Sequence, residues 1–239
     1  MKKKTVGIVL GFFMVVLLAV ASPYIYLLST DYSYGHRMGT LTKFDADGYI
    51  FTTGEGQLLL GSESSPLAAD YHTQDGFLIE KNFNPWQFST KKALIDQFTK
   101  NIGKKVWVRY AEHNYNISFR KTAHEALEIG RVEPLKPIPP RMETGKPFGI
   151  GRSEGVRSGR IVKASAKGKI VNTYEIVLQM GEAGNQFKAL SINEKPLYDY
   201  AVECLKRGLP VTVKYIDQGL VKINLNDTSY IVYAIETAT

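Results

Sequence analysis

Residues 35–61 read GHRMGTLTKFDADGYIFTTGEGQLLLG, and residues 155–181 read GVRSGRIVKASAKGKIVNTYEIVLQMG. At a constant offset of 120, Gly35, Arg37, Gly39 and Lys43 recur as Gly155, Arg157, Gly159 and Lys163. Gly48, Thr53, Glu55 and Gly61 then recur as Gly168, Thr173, Glu175 and Gly181. Identities in one order at one spacing mark a duplicated structural unit. The likeness resumes where Gly103 to Tyr110 (GKKVWVRY) parallels Gly208 to Tyr215 (GLPVTVKY), now at an offset of 105. The first copy is therefore longer by 15 residues, and the polar stretch 62–84, with its Gly, Pro and Ser, is where the insertion is expected.

Each copy reads as the same short series of elements. Alternating strands are expected over Arg37 to Phe44 and Tyr49 to Thr53, joined by a turn at Asp45-Ala46-Asp47-Gly48, with a third strand after Glu55. Ala93, Leu94, Ile95, Phe98 and Ile102 recur near helical spacing, so a helix is expected over Thr90 to Ile102, with Ser89 or Thr90 placed to cap it and Gly103 to end it. Its counterpart runs from Pro196 to Arg207. Strands from Lys105 to Ala111 and near Glu128 to Val132 complete the unit. Three strands, a helix and two strands is the order of an oligonucleotide/oligosaccharide-binding (OB) barrel, so the expected fold is mainly β, a tandem of OB-like barrels with one helix each. A different small barrel or a β-roll with a helix fits the same order.

The chain divides accordingly into an amino-terminal segment 1–30, a first domain 31–133, a connector 134–153 and a second domain 154–239. The connector, EPLKPIPPRMETGKPFGIGRS with its leading Glu133, has four prolines in its first eight residues and is expected to act as a semi-rigid spacer.

The net charge of +7 is concentrated outside the domains. Residues 31–133 hold 12 basic and 13 acidic side chains, and residues 154–239 hold 11 and 9, whereas the connector holds 4 and 1. Two nearly neutral domains argue against nucleic acid as a partner, because neutralising phosphates needs a basic surface. Lys2, Lys3 and Lys4 supply the rest of the excess and precede an uncharged run from Thr5 to Thr30. That run is about long enough to cross a hydrocarbon core of roughly 30 Å. Tyr24 and Tyr26 fall at its far end, where amphipathic aromatics favour the interface. The expected arrangement is a single span over residues 5–28 in the cell's inner membrane, lysines in the cytoplasm and both domains outside, in the periplasm of a Gram-negative cell. Ala19-Val20-Ala21 also fits a signal-peptidase site, and cleavage there would export the same domains without the anchor.

No constellation for catalysis is visible. Gly149-Ile150-Gly151-Arg152-Ser153-Glu154-Gly155 has the wrong spacing for a dinucleotide loop and leads into a strand, where no helix terminus can receive a phosphate. His36, His72, His113 and His124 lack metal-ligand spacing, and the lone Cys204, in the second helix, excludes disulfides and multi-cysteine metal sites. No catalytic residue, metal site or cofactor is therefore expected. The binding candidates are Arg37, Glu55, Arg157 and Glu175, polar and common to both copies, and the group Lys105, Trp107 and Arg109. The repeated Arg and Glu could instead form a cross-strand pair. Strand alternation directs Val106, Val108 and Tyr110 to the core and Trp107 outward, either as a stacking surface or covered by the inserted loop.

The pattern Tyr32-Ser33-Tyr34-Gly35-x-Arg37-x-Gly39, then Lys43-Phe44, Gly48 and Thr53-Gly54-Glu55-Gly56, resembles a group of short bacterial membrane-anchored proteins that carry one such domain after one helix. Some of them bear a 6-phosphogluconate dehydrogenase label, for which this chain has no cofactor loop. The resemblance implies location and architecture. The second copy departs from it at Ala164 and Ile176, where the pattern has Phe and Gly. Anchor, repeat and missing catalytic residues together lead to the expectation of a non-enzymatic envelope protein that binds a protein or an envelope component. The alternative is an OB-type binder of oligosaccharide or single-stranded nucleic acid, using Trp107, Arg109, Tyr49 and Phe51.

Overall fold

The computed structural model describes residues 13–22, 31–47, 52–60, 85–113, 120–133, 137–147, 153–168, 172–181, 186–219 and 226–237. The insertion near 62–84, the turn glycine Gly48, Tyr49, Phe51, His72, the amino-terminal lysines, Tyr24 and Tyr26 lie outside these residues. Residues 13–22 form a helix, α1, whose Phe13, Met14, Val15, Leu17 and Leu18 are exposed. Among the described residues no helix is long and apolar enough to cross a membrane.

The rest is mainly β. Strands β1 (Asp31–Asp47), β2 (Thr53–Leu59), β3 (Trp86–Lys91), β4 (Lys105–His113) and β5 (His124–Arg131) form the first unit, with a helix α2 (Ile95–Thr99) between β3 and β4. β6 (Arg141–Glu143) follows. Then β7 (Ser153–Lys167), β8 (Thr173–Gln179), β9 (Phe187–Ile192), α3 (Lys195–Lys206), β10 (Pro210–Asp217) and β11 (Tyr230–Thr237) repeat the series. In the first unit β1 pairs with β2 and β4, β2 with β3, and β4 with β5, all antiparallel, and a parallel step between β3 and β5 completes the circuit. The second unit has the same circuit, with the parallel step between β9 and β11. Even the irregularities recur: β1 and β7 bulge at Thr42 and Val162, and β5 and β11 bulge at Leu127 and Tyr233. Bulges bend a strand so that one long strand can serve two neighbours in turn.

Three local expectations change. Asp45, Ala46 and Asp47, read as a turn, extend β1, and Glu55 lies inside the second strand, with the third displaced to Trp86–Lys91. Ser89 and Thr90 do not cap α2: they sit in β3, where the Thr90 hydroxyl donates to Ala126 O at 2.9 Å and the Ser89 hydroxyl to Glu55 at 2.7 Å. The first helix is a 3₁₀ turn and five residues, whereas α3, also without a side-chain cap but with Pro196 in its first turn, has twelve.

The two departures of the second copy compensate each other. Phe44 stands opposite Gly56, and Ala164 opposite Ile176. A Cβ on Gly56 would meet the Phe88 ring at 2.2 Å. Phe44 and Phe88 each pack on Phe98, at ring-centroid distances of 5.1 and 5.0 Å. Large beside small in one copy becomes small beside large in the other, which conserves core volume. Ala164 and Ile176 are fully buried.

The connector does not hold the units apart. Where its prolines end, Arg141-Met142-Glu143 pairs with β11, Thr144 and Thr237 amides bond Tyr233 O and Pro140 O, and the Tyr200 hydroxyl donates to Pro139 O at 2.5 Å. Prolines cannot donate, but their carbonyls accept, so the segment docks along the second unit instead of bridging solvent. The units also meet directly: Ser33 to Arg37 of β1 pairs with Lys167 to Lys163 of β7. Gly35 is needed there, since a Cβ would lie 2.3 Å from Ala164 O. One apolar cluster runs through both units.

Candidate functional site

In β2 the burial alternates, placing Gly54, Gly56 and Leu58 inward and Thr53, Glu55 and Gln57 on the outer face. That face, with the late half of β1, β3 and the turn before β5, encloses an open cleft of about 430 Å³ lined by Lys43, Asp45, Glu55, Gln57, Gln87 and Lys121 among others. Glu55 is held at its floor by hydroxyl donors from Thr53 at 3.0 Å and Ser89 at 2.7 Å. Lys43 pairs with Asp45 at 3.1 Å, both more than half exposed, so the pair contributes little to stability and can open toward a ligand. Two cations and two carboxylates balance along the rim.

The same face of the second unit is closed by its own side chains. Lys167 Nζ lies 2.5 Å from Asp227 and 3.2 Å from Glu175. Burial, followed by the hydrogen bond with Asp227, pushes the Glu175 carboxyl up to about 7. Asp227 is held below the usual carboxylate range by its bonds to Glu175 and Lys167, against the opposing effect of burial. Glu175 is thus the more readily protonated of the two carboxyls. Lys167 corresponds to Asp47 at the offset of 120, and the equivalent contacts of Thr122 and Thr228 set Asp227 in the place of Lys121, so the charges are exchanged between the units.

The expected Arg–Glu pairs do not form. Arg37 stands opposite Val108 and Lys163 while Glu55 stands opposite Asp45; in the second unit Arg157 stands opposite Val213 and Glu175 opposite Ser165. Arg37 is fully buried with its guanidinium 4.8 Å from the Trp86 ring centroid and 5.3 Å from that of Tyr110. That geometry is a structural cation–π sandwich. Arg157 is exposed and donates to Val156 O at 2.9 Å.

Val106, Val108 and Tyr110 are fully buried and Trp107 points outward, half-covered. The inserted loop lies outside the described residues; among these, Lys206 of α3 sits 4.9 Å above the indole and His36 lies 6.0 Å away. Trp107 thus belongs to the contact between units. Arg109 pairs with Glu128 at 3.0 Å and Lys105 is exposed, and neither lines the cleft. At the far end of β4, His113 bridges Asp31 at 2.8 Å and Glu125 at 2.9 Å, with Arg120 also on Glu125. Among the described residues no group of three or more His, Cys, Asp or Glu is arranged to hold a metal ion. Cys204 is buried, and burial pushes its thiol up to about 12.

The strand circuits define the class: a mainly β protein in which one small sheet with a helix is used twice. A family model described as a domain of unknown function (DUF8785) matches residues 30–136, the first unit. No curated protein matches the chain. Among solved structures it is similar to a deletion mutant of the single-stranded DNA binding protein from Thermus aquaticus, at 13% identity and a TM-score of 0.25, covering 87% of this chain and 94% of that one. The wild-type form of that protein gives 13% identity, a TM-score of 0.25 and coverage of 88% and 95%.

Proposed function

We propose that the chain is a non-enzymatic, membrane-anchored envelope protein whose two units are OB-type barrels, and that the first captures an envelope partner, a protein or a cell-wall component, in its outer cleft. The observation that carries this reading is the inequality of the repeat: the face open around Glu55 is closed around Glu175 by Lys167 and Asp227. A polar lining of balanced charge suits hydroxyl- and amide-bearing ligands and disfavours a polyanion. The apolar run flanked by Lys2, Lys3 and Lys4 supports the anchor, and the resemblance to short bacterial anchored proteins supports the location.

The test is capture of partners by the tagged full chain from crosslinked membranes, with Gln57→Ala/Gln87→Ala as the altered cleft. Loss of capture with an unchanged melting profile supports the reading; equal capture by both forms removes the cleft from it. A phosphatase fused after Thr239 reports location, and an inactive fusion would place the units in the cytoplasm.

A further inference from the structure

β1 and β7 each serve two barrel neighbours in turn. Up to Thr40, β1 pairs with β4 on one edge; from Thr40 onward it pairs with β2 on the other. β7 repeats this, pairing with β10 up to Arg160 and with β8 from there on. Each half of each strand therefore has one edge outside its barrel. The contact between units joins two of these four edges: the early half of β1, 33–37, and the late half of β7, 163–167. These are different halves of equivalent strands. A head-to-tail contact of that kind leaves its complement at both ends. The complementary edges are the late half of β1, 43–47, and the early half of β7, 153–157, and no described residue pairs with either.

Two further features of the existing contact have uncovered counterparts at these edges. His36, half-buried beside Trp107 and Lys206, corresponds to Val156, which is 52% exposed. Gly208, at the end of α3 with φ of 61°, lies against Val132 and Met38; its counterpart Gly103, with φ of 75°, faces open space. Ile102 beside it is 43% exposed, where the second unit has Arg207. Of the edge charges, Lys43 is paired with Asp45 and Glu154 with Lys146, and Arg157 is turned onto Val156 O.

We propose that the chain associates with further copies of itself head to tail, the early half of β7 in one molecule pairing antiparallel with the late half of β1 in the next. Transferring the internal register sets Arg157 opposite Lys43, Val156 opposite Phe44, Gly155 opposite Asp45 and Glu154 opposite Ala46. Because the contact joins unlike edges, it propagates as a linear assembly and does not stop at a dimer. The internal β1–β7 contact alone carries the inference, although Lys43, Asp45 and Ala46 of this edge also line the cleft.

The test is oxidative crosslinking of the full chain in detergent, using Ala46→Cys and Glu154→Cys. Both substitutions in one molecule should give a ladder of oligomers, a mixture of the two single variants should give a dimer, and either single variant alone should give neither. Crosslinks in a single variant would show a face-to-face contact and overturn the proposal. The unmodified chain provides a measure independent of those variants: light scattering should show a mass rising with concentration past that of a dimer, suppressed by Val156→Lys. A mass fixed at monomer or dimer would falsify the proposal.

Discussion

Ser191 Oγ and Thr228 Oγ1 lie 2.9 Å apart, and the Thr228 amide donates back to the Ser191 oxygen at 3.2 Å. Ser89 and Thr122 make the same two contacts at 3.1 and 3.2 Å. Each pair ties the turn before the last strand to the third strand, where the parallel step completes the circuit. Ser191→Ala leaves the buried Thr228 amide without this acceptor and should cost about 1–3 kcal/mol. Denaturant unfolding should show a lower midpoint at unchanged slope; an unmoved midpoint would mean that the latch contributes nothing.

The Glu175 carboxyl, raised from 4.5 to about 7, gives stability a definite dependence on pH. Between those values the native state holds a proton that the unfolded chain has released, so this group's contribution is complete below about 4.5 and is lost as pH rises through about 7. His36 acts oppositely. Burial, then Lys206 and Arg109, lower its imidazole from 6.5 to about 4, so its contribution is complete above 6.5 and lost as pH falls through about 4. Glu175→Gln removes the first contribution and leaves the second. Melting temperature should then climb more steeply between pH 4.5 and 6.5 than in the parent; identical profiles would refute the assignment.

Gly35→Val places a branched side chain where Ala164 O and Ser165 Cα would lie 2.3 and 2.8 Å from its Cβ. The junction strand must shift, at about 1–3 kcal/mol. The expected result is separation of one calorimetric transition into two, because the collision falls between the units. A single transition at the parent temperature would show that the junction does not couple them.

The fold was legible wherever a residue's neighbour in sequence was also its neighbour in a ladder. Gly35 to Glu55 carried the repeat because β1 and β2 pair locally and keep the offset of 120. The alternation through Val106, Val108 and Tyr110 located the core face of β4 for the same reason. What escaped depends on contacts between distant segments. The Ser–Thr latches sit at different offsets in their two halves, outside the aligned blocks. The exchange of Phe44 and Gly56 for Ala164 and Ile176 looked like loss of a site because the ladder that joins them was not visible. Arg37 looked like a surface partner for Glu55, yet it is held between Trp86 and Tyr110, both of which follow the insertion. Among the described candidate residues, only Glu55 reached the cleft; Lys43 beside it was marked by its recurrence as Lys163, whereas Lys121 lies outside the aligned blocks.

The chain has two tryptophans, and they sit in contrasting surroundings. Trp86 is 1% exposed, between Phe88, Tyr110 and the Arg37 guanidinium. Trp107 is half-covered by groups from both units, with Lys206 Nζ 4.9 Å above its ring. A quencher such as acrylamide should therefore reach Trp107 alone, and Trp107→Phe should leave blue-shifted emission that resists quenching. Lys206→Ala removes the cover contributed by the second unit, together with a cation–π contact of about 0.5–1 kcal/mol. Emission of the accessible component should shift to the red and its quenching constant should rise, while the Trp86 component stays unchanged. This makes a side chain of the first unit report on a helix of the second. If Lys206→Ala leaves quenching as it was, α3 does not rest on the first unit in solution.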